Sequence, residues 1–291
     1  MKTVFSFLSL LRRQESILTI ALFVFALGSS QEKTQDTTKV EVLDEVLVKA
    51  VRVEATYPIT HSNVKKEELK KRNLGQDLPI LLNFLPSVVT TSDAGAGVGY
   101  TGIRVRGVSS QSTNITINGI PYNDAESLGT FWVNLGDFAS SVESLQLQRG
   151  VGTSTNGSGA FGASINILTD AISNNANAEL NNSFGSFNTR KHTLKFSTGL
   201  LNEHFEIAGR LSQIKSDGYI DRATSDLKSY FLQGAYKTDN TLLKVIVFGG
   251  HEITYQAWYG IDEETLKNDR TFNFAGLYFD DDGNMKFYDN E

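Results

Sequence analysis

From residue 178 onward, polar and apolar residues alternate with a period of two in segments of about ten residues, a pattern that strongly restricts the fold. In 191–200 (KHTLKFSTGL), Leu194, Phe196, Thr198 and Leu200 share one face of an extended strand, and Lys191, Thr193, Lys195 and Ser197 share the other. In 204–214, Phe205, Ile207 and Leu211 oppose Glu206, Arg210 and Ser212; in 227–237, Tyr230, Leu232 and Tyr236 oppose Ser229 and Gln233. Residues 242–250 are apolar on both faces apart from Lys244, so alternation alone leaves their facing open. A ten-residue strand at about 3.3 Å per residue, tilted near 45°, rises roughly 23 Å, the height of an outer-membrane apolar band. A soluble β-sandwich alternates in the same way.

The connections discriminate better. Residues 201–203 and 238–241 are tight turns, whereas 215–226 and the stretch after Gly250 are long. Short turns alternating with long loops are the arrangement of a transmembrane β-barrel, with the short turns on the periplasmic side. A first strand over 178–187, leaving a periplasmic domain, points outward and puts both long links outside. The rival is a secreted all-β binding protein or adhesin.

The N-terminus fits an exported protein. Lys2, Arg12 and Arg13 precede the apolar run 17–27 (ILTIALFVFAL), and small residues follow through Ser30. That is a signal peptide over 1–30, since a membrane-spanning helix needs roughly 20 apolar residues. Residues 31–41 are polar and aperiodic and are expected to be disordered. The chain stops in an Asp-rich stretch with no closing strand, which reads as a fragment.

Between these ends, 65–73 reads as a short charged helix starting near Asn63 and stopping at Gly75. Residues 76–85 read as a second helix with Pro79 in its first turn, and 87–91 as a strand. Residues 102–169 are short β-rich runs (IRVRGV, TNITING, SINIL) broken by glycines.

Several chemistries are excluded. The chain has 27 basic and 33 acidic residues and a net charge of −6, with no nucleic-acid footprint. It has no cysteine, hence no disulfide, thiolate metal site or cysteine nucleophile. Gly97, Gly99 and Gly102 satisfy GxGxxG literally, but a β-rich run follows where a pyrophosphate site needs a helix N-terminus. The four histidines lack metal-ligand spacing, and no GxSxG elbow is present. Asp280 to Asn284 faintly suggests a calcium loop without its closing glutamate and reads better as a hairpin turn. No catalytic residue, cofactor or metal site is expected.

The glycine-rich region resembles the plug domain of TonB-dependent outer-membrane receptors. Arg104, Arg106 and Gly107 match the arginine-glycine run of that family. Asn118, Gly119 and Pro121 match its turn, and Val142 to Arg149 and Gly150 match its strand ending in Arg-Gly. Gly157, Gly159, Gly162 and Asn166 lie in its glycine-rich run before the barrel. The sequence departs from the pattern at Asn156, Ala163 and Ser164. Upstream, Asp44, Glu45, Val46, Leu47, Val48, Lys49 and Ala50 resemble the TonB box, a mobile strand that adds to a partner's sheet edge. From the residues alone an extended linker reads as well. The later texture, such as QAWYGI, looks like receptors of the Bacteroidota.

The resemblance implies a TonB-box-like segment at 42–50, a mixed α+β plug at 51–170, and roughly five strands of an antiparallel all-β barrel at 171–291. It implies an outer-membrane protein in contact with lipid, plug in the barrel lumen and N-terminus in the periplasm, that is not an enzyme. TonB, with its ExbB–ExbD motor, is the implied partner, and the plug arginines are expected to pair with acidic groups of the wall. Apical loops around 92–100 and 122–132 are expected to bind ligand, with Tyr100, Tyr122, Asn123 and Trp132 as contacts. Only about ten residues separate signal peptide and box, leaving no room for an extra N-terminal domain. A ferric siderophore or other iron complex is therefore the first choice of cargo, ahead of cobalamin or an oligosaccharide.

Overall fold

The computed structural model describes residues 52–54, 56–153, 160–255 and 257–288. The signal peptide, the polar tail, the box-like segment, Gly157 and Gly159 lie outside the described residues.

The first half is a mixed sheet with short helices. Its strands β1 (His61–Lys65), β4 (Thr113–Ile117), β5 (Ile120–Pro121), β6 (Val142–Arg149) and β7 (Ala163–Thr169) form a sheet in the order β1-β6-β7-β4-β5. β7 pairs parallel to β4 and antiparallel to β6. All seven residues of β7 are buried, as expected of a central strand covered on both faces. A separate hairpin joins β2 (Val88–Ser92) and β3 (Thr101–Val105). Helix α1 (Lys66–Arg72) carries Glu67 and Glu68 in its first turn and Lys70, Lys71 and Arg72 in its last, which complements the helix dipole.

Two sequence expectations are corrected here. Residues 63–65 belong to β1 rather than to the helix start, because Val64 is buried opposite Leu145 of β6. The second helix, expected over 76–85, is a single turn, α2 (Leu78–Leu81). Its buried Leu81, Leu82 and Leu85 are held by core packing in a tighter turn than an α-helix would give.

The second half is an antiparallel meander of five strands: β8 (Asn177–Phe184), β9 (Arg190–Ser197), β10 (Phe205–Ser216), β11 (Ser225–Lys237) and β12 (Leu242–Thr254). It is not closed within the described residues. Its burial is inverted relative to a water-soluble sheet. Arg210 is 1% exposed and its neighbour Leu211 is 52% exposed. Lys191, Thr193, Glu206 and Gln233 are buried, while Leu180, Ile207, Leu232, Val245 and Val247 point outward. β12 follows suit: Lys244, Ile246 and Phe248 turn inward, with the last two against the core of the first half. A continuous apolar face of this size cannot be left in water. Among the described residues no second sheet covers it, as a sandwich would require, and a lipid-facing wall needs none. The longer segment after β12 holds helix α3 (Glu263–Asn268) and a hairpin of β13 (Leu277–Phe279) and β14 (Met285–Phe287).

Candidate functional site

The inward face of the wall meets the first half at a fully buried carboxylate, Asp137. Asp137 sits between two 3-10 turns, at Trp132–Leu135 and Phe138–Ser141, in the left-handed region at φ 49°. The strand period puts Lys191 and Thr193 on one face of β9, and the register sets Thr193 opposite Ser212 of β10. All converge on Asp137. Lys191 Nζ lies 2.8 Å from Oδ1, and Thr193 and Ser212 hydroxyls donate to Oδ2, each at 2.6 Å. Arg210 Nη1 lies 3.5 Å from Oδ2 and donates to the carbonyls of Gly136 and Asp137. Ser140 Oγ and Asn73 Nδ2 complete the set from the first half. Burial opposes charge on Asp137, but the Arg210 and Lys191 cations outweigh it and hold the carboxyl well below the usual carboxylate range.

A second cluster sits where β7 ends. Asp170 receives Lys66 of α1 at 2.7 Å and Lys195 of β9 at 2.8 Å, and its carbonyl accepts from Lys244 Nζ at 2.9 Å. Burial is again opposed and overcome by Lys195 and Lys66, which lower its pKa. Beside it a polar cavity of about 290 Å³, lined by Lys66, Asp170, Lys195, Glu206 and Arg210, lies between the first half and the wall. The contacts are ionic and hydrogen-bonded.

Arg104 and Arg106 are exposed, and neither forms an ion pair among the described residues. Across the five wall strands described, the ion pairs run from acids of the first half, Asp137 and Asp170, to bases of the wall, Lys191 and Lys195. Asn118 and Gly119 form a two-residue hairpin turn between β4 and β5, with φ of 51° and 81°, as a type I′ turn requires. Asn118 also exchanges hydrogen bonds with Thr169 at the end of β7. Arg149 is buried and structural, donating to the Pro86 carbonyl and to Ser62. The Gly150 amide donates to the Gly162 carbonyl, and the Gly162 amide to that of Ser112. A Cβ on Gly162 would meet Ser112 O at 3.0 Å, so only glycine packs there without displacement. Asn166 is buried and accepts from Thr116. Pro121 sits on the edge strand β5, where a missing amide costs no ladder bond.

The expected ligand contacts separate into two groups. Trp132 is 2% exposed, inside the core, and Asn123 spends its amide on Ile115 N and the carbonyls of Thr113 and Leu128. Both hold the loop rather than present it. Tyr122 is partly buried against Phe248. Tyr100 stands edge-on to Trp258 at 5.4 Å, beyond β12. The 93–100 loop, including the literal GxGxxG, packs beneath the 217–224 link, with Tyr219 N donating to Ala94 O at 2.8 Å. Strand β3 follows it, not a helix. Asp137 and Asp170 carried no local signal, although the alternation had already put Lys191, Lys195 and Arg210 on one polar face. Among the described residues no cluster of three or more metal-ligating side chains exists. Asp280 instead caps its own hairpin, accepting from the amides of Asp282 and Asn284 and pairing with Lys286.

Residues 53–164 match the TonB-dependent Receptor Plug Domain. The Vitamin B12 transporter BtuB of Vibrio vulnificus is 27% identical over 273 residues, covering 91% of this chain and 43% of that protein. The probable TonB-dependent siderophore receptor PirA of Acinetobacter baumannii is 25% identical over 180 residues, covering 55% of this chain and 24% of that protein. The chain thus spans less than half the length of these relatives. Among solved structures, the ferripyoverdine receptor of the Pseudomonas aeruginosa outer membrane superposes with a TM-score of 0.61 at 14% identity, over 83% of this chain and 30% of that one. The fold is a mixed-sheet plug followed by the opening strands of an antiparallel barrel.

Proposed function

We propose that this chain is the N-terminal part of a TonB-dependent outer-membrane receptor that imports a scarce nutrient, with an iron complex as the first choice of cargo. The observation that carries the reading is the inverted wall, apolar outward and polar inward, whose inner bases grip Asp137 of the plug. Ligand binds from outside on the 93–100 loop near Tyr100. The signal then passes to the segment 44–50, which TonB engages and pulls, displacing the plug. No bond is made or broken, so the plug needs reversible polar contacts rather than catalytic groups.

Cobalamin is the second reading, favoured by the match to a B12 transporter over 91% of this chain. The test is uptake of labelled ferric siderophores and of labelled cobalamin by cells carrying or lacking the complete gene. TonB-dependent uptake of an iron complex supports the first reading, and uptake of cobalamin alone replaces it with the second. A soluble, non-membrane product sinks both.

A further inference from the structure

The outward face of the wall is not uniformly apolar. The strand pairings stack its residues in rows. One row runs Leu180, Leu194, Leu211, Tyr230 and Gly249 across β8 to β12. The next row toward the 217–224 end runs Asn182, His192, Gln213, Lys228 and His251. The row beyond it brings Arg190, Lys215 and Asp226 together. A shallow surface cavity of about 600 Å³ spans the first two rows, with leucine and tyrosine on its floor and His192, Lys228 and His251 at its rim.

The charge on this face is one-sided. Asp226 is the sole acidic residue at an outward position of β8–β12, and it is already taken up by Lys215 at 2.8 Å and Gln213 at 3.0 Å. Glu179, Glu206 and Glu252 all alternate inward. Lys228 forms no ion pair among the described residues, and the Arg190 guanidinium is held outward by Asn188. This excess of base stands on a chain whose overall charge is −6. Apolar surface below and unpaired cations above match a molecule with acyl chains and an anionic head.

We infer that the Arg190–Lys228–His251 belt, with the leucine-floored cavity beneath it, binds the phosphorylated headgroup of an outer-leaflet lipid, with an acyl chain lying along Leu194 and Leu211. Lys228 and Arg190 supply the charge, and each cation near a membrane surface contributes about fivefold in binding. His251 flanks Lys228 as a hydrogen-bond donor to phosphate oxygen, whereas His192 spends its Nδ1 on Asn182 Oδ1 at 2.6 Å and lines the cavity with its ring. The inference rests on the barrel reading above.

The test uses the complete protein in nanodiscs of phosphatidylcholine doped with bisphosphorylated lipid A or with its dephosphorylated form, with retained lipid counted by native mass spectrometry. The wild type is expected to retain the phosphorylated lipid preferentially. Arg190→Ala with Lys228→Ala should lower that retention roughly 25-fold. Equal retention of the dephosphorylated lipid, or retention unchanged by the double variant, overturns the inference. Complete displacement by millimolar inorganic phosphate overturns it too, since the site would then recognise free phosphate. Gel mobility before and after heating separates the two readings: loss of the folded-barrel band for the wild type sinks the receptor reading itself, whereas a folded barrel without lipid retention sinks only the lipid site.

Discussion

The carboxylate of Asp137 and the ammonium of Lys191 lie 2.8 Å apart with side-chain exposures of 0% and 3%, one on the plug and the other on the wall. Each ion is desolvated, and the cost is offset only while both are present and Thr193, Ser212 and Arg210 fill the remaining hydrogen-bond sites. Removing one partner leaves an uncompensated charge. Asp137→Ala should therefore destabilise the plug–wall contact by about 3–5 kcal/mol. Replacing both Asp137 and Lys191 with apolar residues should cost less than the sum of the single changes. A double-mutant cycle on the complete protein, read by protease accessibility of the plug, measures this; additive costs would mean the pair does not couple.

The same pair fixes a pH dependence. The Asp137 carboxyl is held below its unfolded value, so its contribution to stability is fully present above about pH 4 and is lost as pH falls through the lower folded value. The Asp137 contribution, read as the difference in protease accessibility between wild type and Asp137→Asn, should be constant from pH 5 to 8 and shrink only in stronger acid. A change in that difference near pH 6 would assign the release to another group.

Asp77 has the opposite sign. It is buried, one of its oxygens accepts from Thr101 at 2.9 Å, and burial pushes its pKa well above the usual carboxylate range. The ionised form is disfavoured in the fold, so stability falls as pH rises from about 4 through the raised value. Asp77→Asn keeps the shape and removes the charge. It should raise the melting temperature at neutral pH and leave it unchanged near pH 3, measured on the complete protein in detergent.

The Asn118–Gly119 turn tests the plug's local chemistry. Gly119 at φ 81° tolerates a side chain poorly, so Gly119→Ala should cost about 1 kcal/mol. Asn118→Ala loses both bonds to Thr169, and about 1 kcal/mol for each is expected. Melting curves in detergent report both. No shift for Asn118→Ala would make the β4–β7 tie dispensable.

For the proposed partner contact, proline at Val46 and Val48 removes two backbone donors from a segment read as an added strand. Ligand binding should survive while uptake is lost. Uptake that persists with both prolines removes the box assignment.

Period-two alternation made the wall legible because the side-chain period of a strand is fixed, and only the outward medium was left to decide which face is buried. Residues 102–169 were legible through turn chemistry, as Asn118 and Gly119 illustrate. β1 was not, because HSNVK has no strand pattern of its own and is held by pairing to β6, some 80 residues away. Nor were Asp137 and Asp170, whose meaning comes from bases on strands distant in sequence. Trp132 misled because an aromatic in a polar loop looks like a ligand contact until the core that covers it is known.

The lipid-facing wall supplies the sharpest discrimination from a soluble protein. Leu232 lies in the apolar band, opposite Val247 and Gly209, whereas Gln213 lies in the polar row nearer the 217–224 link. A charge at the bilayer midplane costs about 2–4 kcal/mol, and near an interface about 0–1. Leu232→Arg should therefore reduce the folded, inserted fraction severalfold or more, and Gln213→Arg should leave it nearly unchanged, as read by urea titration of the complete protein in bilayers. A sheet that left this face in water would have both side chains in solvent and would tolerate Leu232→Arg. Equal tolerance of the two changes is thus the result that would return the wall to water.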